Sequence, residues 1–291
     1  MQQCLAIALL ILPTVSVFAQ EPHQPVVSDD RSTRSPLWCR HTVLIYVNPS
    51  GAKADFWTKD RFGWMAAYRD REGRYEDLLF DGFLFLGFSC KGGRHLLPLA
   101  NRKPAVKSDW EDALQNYMAA VEKLSLSFED AGRALKRTDV RGKVILALPH
   151  PDTRQREFGV VGGSNLDLGR HDARVKALRW YVDEALNQWN GRSERGLLNG
   201  VTLSGFYWGH EGIGKSDDDV LKAVAAHVHD KGCLMHWIPS FGGPRSDWRE
   251  LGLDCVTQQI NYQNPQKPGR PLTIFDQMSR MVEDFDLHGV E

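Results

Sequence analysis

Six short apolar runs, most of them separated by amphipathic stretches of helical period, constrain the fold of this 291-residue chain more than any other feature. They cover residues 42–47, 78–88, 144–148, 201–208, 233–238 and 255–260. Each is nearly continuous in apolar residues rather than alternating, as strands buried on both faces are. Between them run stripes with apolar residues three and four apart. Trp110, Leu114, Tyr117, Met118 and Val121 form one; Val175, Leu178, Val182, Leu186 and Trp189 a second; Phe275, Met278, Met281, Val282 and Phe285 a third. A shorter helix is expected over 220–229, and only a turn around 248–251. Strand and helix in alternation, with few hairpin signals, imply a parallel sheet with helices outside it. An open dinucleotide-binding sheet is disfavoured, because Asn48-Pro49-Ser50-Gly51 after the first strand lacks the glycine spacing. The expected fold is α/β, a (β/α)8 TIM-type barrel. Residues 287–291 read as the start of a seventh strand, so the barrel is expected to be incomplete at the C-terminus.

The first residues read differently. Cys4 to Val15 is almost continuously apolar, and Val17-Phe18-Ala19 offers small residues for a signal peptidase. The stretch is too short to span a bilayer. Residues 1–19 are therefore expected to be a signal peptide cleaved near Ala19, leaving a secreted or periplasmic product without a stable membrane anchor. Residues 20–37 read as a disordered lead-in, and 38–291 as the barrel domain. A net charge of −1 with no basic run argues against nucleic acid as a partner. Cys39, Cys90, Cys233 and Cys255 form no CxxC and fit no zinc template. Cys233 and Cys255 each open a predicted strand, which leaves both a disulfide and buried free thiols open.

The chemistry concentrates in Gly205-Phe206-Tyr207-Trp208-Gly209-His210-Glu211, a strand that ends in two rings, an imidazole and a carboxylate. Strand C-termini carry the active sites of parallel α/β barrels. The other strand ends bring Asn48, then His150 and Asp152, then His236 and Trp237, then Gln259, Asn261 and Tyr262. Amides and carboxylates suit sugar hydroxyls, and aromatic rings suit sugar C–H faces. Trp57 and Trp64, seven apart, read either as one helix face on the sheet or as a stacking platform. Glycoside hydrolysis needs two carboxyl groups. Glu211 is the candidate acid, since neighbouring rings are expected to desolvate it and favour its protonated form. Glu291 is the candidate second carboxylate. By strand count the two follow the fourth and seventh strands, as the acid and nucleophile do in a large clan of retaining barrel glycosidases. Asp81 and Asp152 are alternatives to Glu291. Asp81, His150, Tyr207, Trp208, His210, Trp237, Gln259, Asn261 and Tyr262 are the expected substrate contacts.

A rival constellation is a metal site of His150, His210 and His236 with Asp152 and Glu211 adjacent. No spaced motif supports it, so neither metal nor cofactor is expected. A non-catalytic carbohydrate-binding barrel is the main alternative to a hydrolase.

Several stretches together resemble an uncharacterised family of secreted bacterial proteins, domain of unknown function 4855. These are Leu79 to Leu86, Gly205 to Glu211, Trp237-Ile238-Pro239, Trp248 to Gly252 with Asp254, and Gln259-Ile260-Asn261-Tyr262. They span most of the chain from Val43 to Glu291. The resemblance implies export, a glycosidase-like barrel and a role in polysaccharide use, and it carries over no catalytic residue. The chain departs from it at Ile260, where proline is expected, and in ending at Glu291, beyond which the family is expected to continue.

Overall fold

Every residue of Gly82–Leu86 is buried, and so is every residue of Gly142–Leu148 except Lys143. Burial on both faces is what an apolar run in a central parallel strand requires. The computed structural model describes residues 37–48, 50, 56–241, 243–259 and 273–290. The expected signal peptide and the lead-in up to residue 36 lie outside the described residues, as do Asn261, Tyr262 and Glu291. The main sheet is built from β1 (Thr42–Tyr46), β2 (Gly82–Leu86), β3 (Gly142–Leu148), β4 (Val201–Trp208), β5 (Leu234–Trp237), β6 (Cys255–Gln258) and β7 (Gly289–Val290). The main helices are α1 (Lys59–Ala66), α2 (Lys107–Ala134), α3 (His171–Glu194), α4 (Asp218–Asp230) and α5 (Thr273–Asp284).

The strands stand side by side in chain order, all neighbours parallel. An order that never reverses is the winding of a barrel wall, whereas a doubly wound sheet reverses at its switch point. The sheet is also curled. Trp38, just before β1, has its ring centroid 4.4 Å from that of His288, just before β7. A flat seven-stranded sheet would hold those edges roughly 30 Å apart. Leu44, Leu84, Leu86, Ile145, Ala147, Tyr207 and Ile238 pack inside the curl. Outward-facing Ile45, Phe83, Phe85, Val144, Leu146 and Leu148 join the larger core with Trp110, Leu114 and Tyr181 of the helices. The described architecture is thus a mixed α/β domain with a curled parallel sheet.

Two expectations need correction. The run 78–88 is not one strand: Tyr75–Leu78 pairs antiparallel with Ala67–Arg69 in a separate ribbon, and β2 starts only at Gly82. Asp81 therefore lies at the N-terminal end of β2, opposite the end expected to bind substrate. Its carboxylate accepts from the Arg40 and His41 N–H groups at 2.9 and 2.8 Å and faces Lys143 Nζ at 3.2 Å. It ties down the entry to β1 and is a structural group. Nor do Trp57 and Trp64 share a face. Trp57 is buried, stacked on Phe62, and donates from Nε1 to Tyr46 O at 2.8 Å, whereas Trp64 is exposed. The four described cysteines are free and buried, with the Cys39 and Cys233 thiols pushed up by burial to about 11.

Gly205 is required by close approach. A Cβ there would stand 1.9 Å from Leu234 O, a backbone atom of the adjoining strand β5. Gly205→Ala is expected to destabilise the fold by about 1–3 kcal/mol or more, because the pair must separate. A lowered urea midpoint checks this, and an unchanged midpoint contradicts it.

Candidate functional site

A break in register inside β4 decides which rings face the cleft. Leu203 pairs with outward-facing Val144, but Gly205, two residues on, pairs with inward-facing Ile145. This bulge reverses the alternation for the rest of the strand. Tyr207 consequently turns into the curl opposite Ala147, while Phe206 and Trp208 turn out among the helices. Trp208 is only 1 % exposed, and so is Trp237. Neither indole presents an open face for a sugar; both are core residues, in place of the platforms expected from the sequence. Trp237 does act on the site, donating from Nε1 to His210 O at 3.1 Å and so anchoring the loop after β4.

That loop carries Glu211, which is exposed at the mouth of a cleft over the inner cluster. Tyr46, Phe88, Tyr207, Ile238 and Gln259 line the same cleft. Gln259 Nε2 donates to Glu211 Oε1 at 3.4 Å. The placement of both depends on buried Gln258, whose Nε2 donates to Pro239 O at 3.2 Å, Ser240 O at 3.1 Å and Gln259 O at 3.0 Å. Ser240 N in turn donates to Glu211 O at 3.4 Å. The loops after β4, β5 and β6 are thereby one hydrogen-bonded unit. Gln258 was not singled out from the sequence, where a buried amide looks like any other polar residue at a strand end. The rings expected to bury Glu211 leave it exposed, since Trp208 points away.

His150 and His210 lie behind this loop rather than in the cleft. Their ring centroids are 4.9 Å apart, and His150 packs edge-on to Trp208. His210 Nδ1 donates to Gly212 O at 2.7 Å, and burial, with His150 beside it, holds its imidazole below the ordinary histidine value. His150 Nε2 stands 3.8 Å from Asp217 Oδ2, beyond hydrogen-bond range. Asp217 is held by Arg174 Nη1 at 3.0 Å and by the Gly214 N–H at 3.3 Å. Burial pushes its carboxyl up, but His150, Gly214 and Arg174 outweigh that and keep it below the usual carboxylate range. Asp152 is likewise buried, and its Arg154 partner, 3.0 Å from Nε to Oδ1, more than offsets the burial and keeps its carboxyl low. An Asp152 so engaged is a structural anion, not a free partner for Glu211.

The three-histidine constellation does not form. His236 points inside the curl, where its Nε2 lies 3.3 Å from Ser204 Oγ, away from the His150–His210 pair. Burial, with His288 nearby, pushes the His236 imidazole down to about 3. The unfolded chain takes up this proton near 6.5, and the folded chain does so only near 3. Stability from a neutral His236 is thus fully present above the unfolded value and lost as pH falls from about 6.5 toward 3. Urea midpoints measured from pH 7 down to pH 5 are expected to fall less in His236→Gln than in the native chain. Parallel curves would contradict this.

A curled parallel sheet with a carboxylate, an amide and aromatic rings gathered at its C-terminal edge defines the class: an α/β protein with a polar–aromatic cleft at its strand ends. The chain belongs to the family described as Domain of unknown function (DUF4855), whose model matches residues 41–285. A comparison with curated proteins finds no match. Among solved structures, a GH18 chitinase from Pseudoalteromonas aurantia aligns at 12% identity over 84% of this chain and 75% of that one, with a TM-score of 0.35. Among the described residues no helix is long and apolar enough to cross a membrane.

Proposed function

We propose that this chain is an exported carbohydrate-active protein whose cleft at the strand C-termini binds a polysaccharide and acts on it as a glycoside hydrolase does. The observation that carries the reading is the exposed Glu211 carboxylate, steadied by the Gln259 amide, above a floor and wall of tyrosine and phenylalanine rings. A carboxyl group in reach of solvent and of a ring-stacked sugar can deliver a proton to a glycosidic oxygen. In this reading Glu211 is the acid/base, and Glu291, the next residue in sequence after β7, supplies the second carboxylate. Asn261 and Tyr262, which follow β6, add hydroxyl contacts. Cleavage near Ala19 accounts for export in this reading.

A binding-only role has an observation in its favour too. Asp152 is committed to Arg154 and Asp81 lies at the far end of the sheet, so among the described residues Glu211 is the carboxylate that lines the cleft. Purified protein incubated with a panel of plant, algal and microbial polysaccharides separates the two. Release of reducing ends supports hydrolysis, glycan binding without release supports the binding role, and a chain that neither binds nor cleaves removes both.

A further inference from the structure

The cleft does not stop at Glu211. On the side formed by β1 and β2 its wall is made by Tyr46 and Phe88, and Phe88 in turn stacks on His95, which extends the wall into a row of three rings. Tyr46 is the last residue of β1 and faces the same side as Thr42 and Leu44, which line the curl. Tyr46 is 52% exposed. Its ring meets Phe88 edge-on at 5.9 Å, and Phe88 stacks on His95 at 5.8 Å with the planes 12° apart.

The row is held from behind. Trp57 Nε1 donates to Tyr46 O at 2.8 Å, and Val47 N donates to Leu86 O at 2.7 Å. Asn48 Oδ1 accepts from both Phe88 N and Ser89 N, at 3.0 and 3.2 Å. Leu96 N donates to Phe88 O at 2.9 Å and Cys90 N to Arg94 O at 2.9 Å, so residues 88–96 form a closed, hydrogen-bonded turn. His95 Nδ1 accepts from Leu97 N at 3.1 Å, which leaves its proton on Nε2. Burial, with the Arg102 charge nearby, holds this imidazole below the ordinary histidine value, so the three rings themselves carry no charge at neutral pH. Rings fixed in place before a ligand arrives lose little conformational freedom on binding. Exposed Tyr46 offers apolar area, half-buried Phe88 backs it, and His95 adds an N–H donor suited to a sugar hydroxyl.

Resting on the carbohydrate reading of the cleft, we infer that Tyr46, Phe88 and His95 form a stacking subsite along which an uncharged pyranose chain leaves the cleft toward the loop after β2. One sugar lies between Glu211 and Tyr46, and the next units follow the ring row. Continuity with the Glu211 cleft and the neutral, fixed rings favour a sugar chain over a protein or lipid partner.

The test uses the full chain and its Tyr46→Ala, Tyr46→Phe and Glu211→Gln variants, with binding measured calorimetrically against cellohexaose, xylohexaose, chitohexaose and hexagalacturonate. Tyr46 is exposed, so its truncation is expected to leave thermal unfolding unchanged. The subsite predicts that Tyr46→Ala weakens binding of a neutral hexasaccharide by on the order of tenfold, while Tyr46→Phe binds like the native chain. If Tyr46→Ala binds as tightly as the native chain while Glu211→Gln binds but no longer cleaves, the subsite is overturned and the carbohydrate reading stands. Tighter binding of hexagalacturonate than of every neutral probe overturns the assignment to an uncharged chain. A native chain that neither binds nor cleaves any of these probes overturns both readings.

Discussion

Glu211→Gln is expected to lower glycan cleavage by on the order of 10²–10⁴-fold, the range associated with loss of a positioned general acid or base. The substitution keeps shape and volume and removes only the proton-transferring oxygen. Glu211 is exposed and its one described side-chain contact, from Gln259 Nε2, can be kept by the new amide's carbonyl. Thermal unfolding should therefore stay within experimental error of the native value, so that lost turnover reports chemistry and not folding. Oligosaccharide affinity should be retained, since Tyr46, Phe88 and Tyr207 are untouched. Full turnover in Glu211→Gln would remove this residue from the mechanism.

The largest expected effect on stability comes from Asp217, behind the cleft. The Arg174 side chain is only 6% exposed and Asp217 11%, and their ion pair joins α3 to the segment that carries Glu211 into α4. Asp217→Ala strands a buried guanidinium, which typically costs roughly 3–5 kcal/mol. The Gly214 N–H and the His150 ring lose the same anion. Urea unfolding of Asp217→Ala should show a correspondingly lowered midpoint, with Arg174→Met,Asp217→Leu recovering part of the loss because neither charge then remains buried. A single variant as stable as the native chain would show that the pair is not what holds this segment.

The parallel α/β sheet was readable from the sequence for a simple reason: strands buried on both faces must be apolar throughout, and helices on their flanks must carry stripes. The runs at 201–208 and 233–238 coincide closely with β4 and β5. The errors arose where burial does not specify direction. Nothing in Leu78 to Phe88 marks the bend that separates the antiparallel ribbon from β2, so Asp81 was expected in mid-strand and is found before the strand begins. Likewise, no residue pattern announces the bulge between Leu203 and Gly205, which sends Tyr207 inward and Trp208 outward. Tyr46 and Phe88 escaped notice because a single aromatic at a strand end reads as core. Only the curled sheet brings the ends of β1 and β2 opposite the loop after β4.

The central claim is that the cleft around Glu211 is where a sugar chain sits. A crystal structure of the Glu211→Gln variant soaked with the oligosaccharide that binds it best tests this most directly. The account predicts sugar density against Tyr46, with a glycosidic oxygen within hydrogen-bond reach of residue 211 and the chain continuing along the ring row. Sugar bound instead in the groove along α3 beside Trp180, with the cleft at the strand ends left empty, would contradict it.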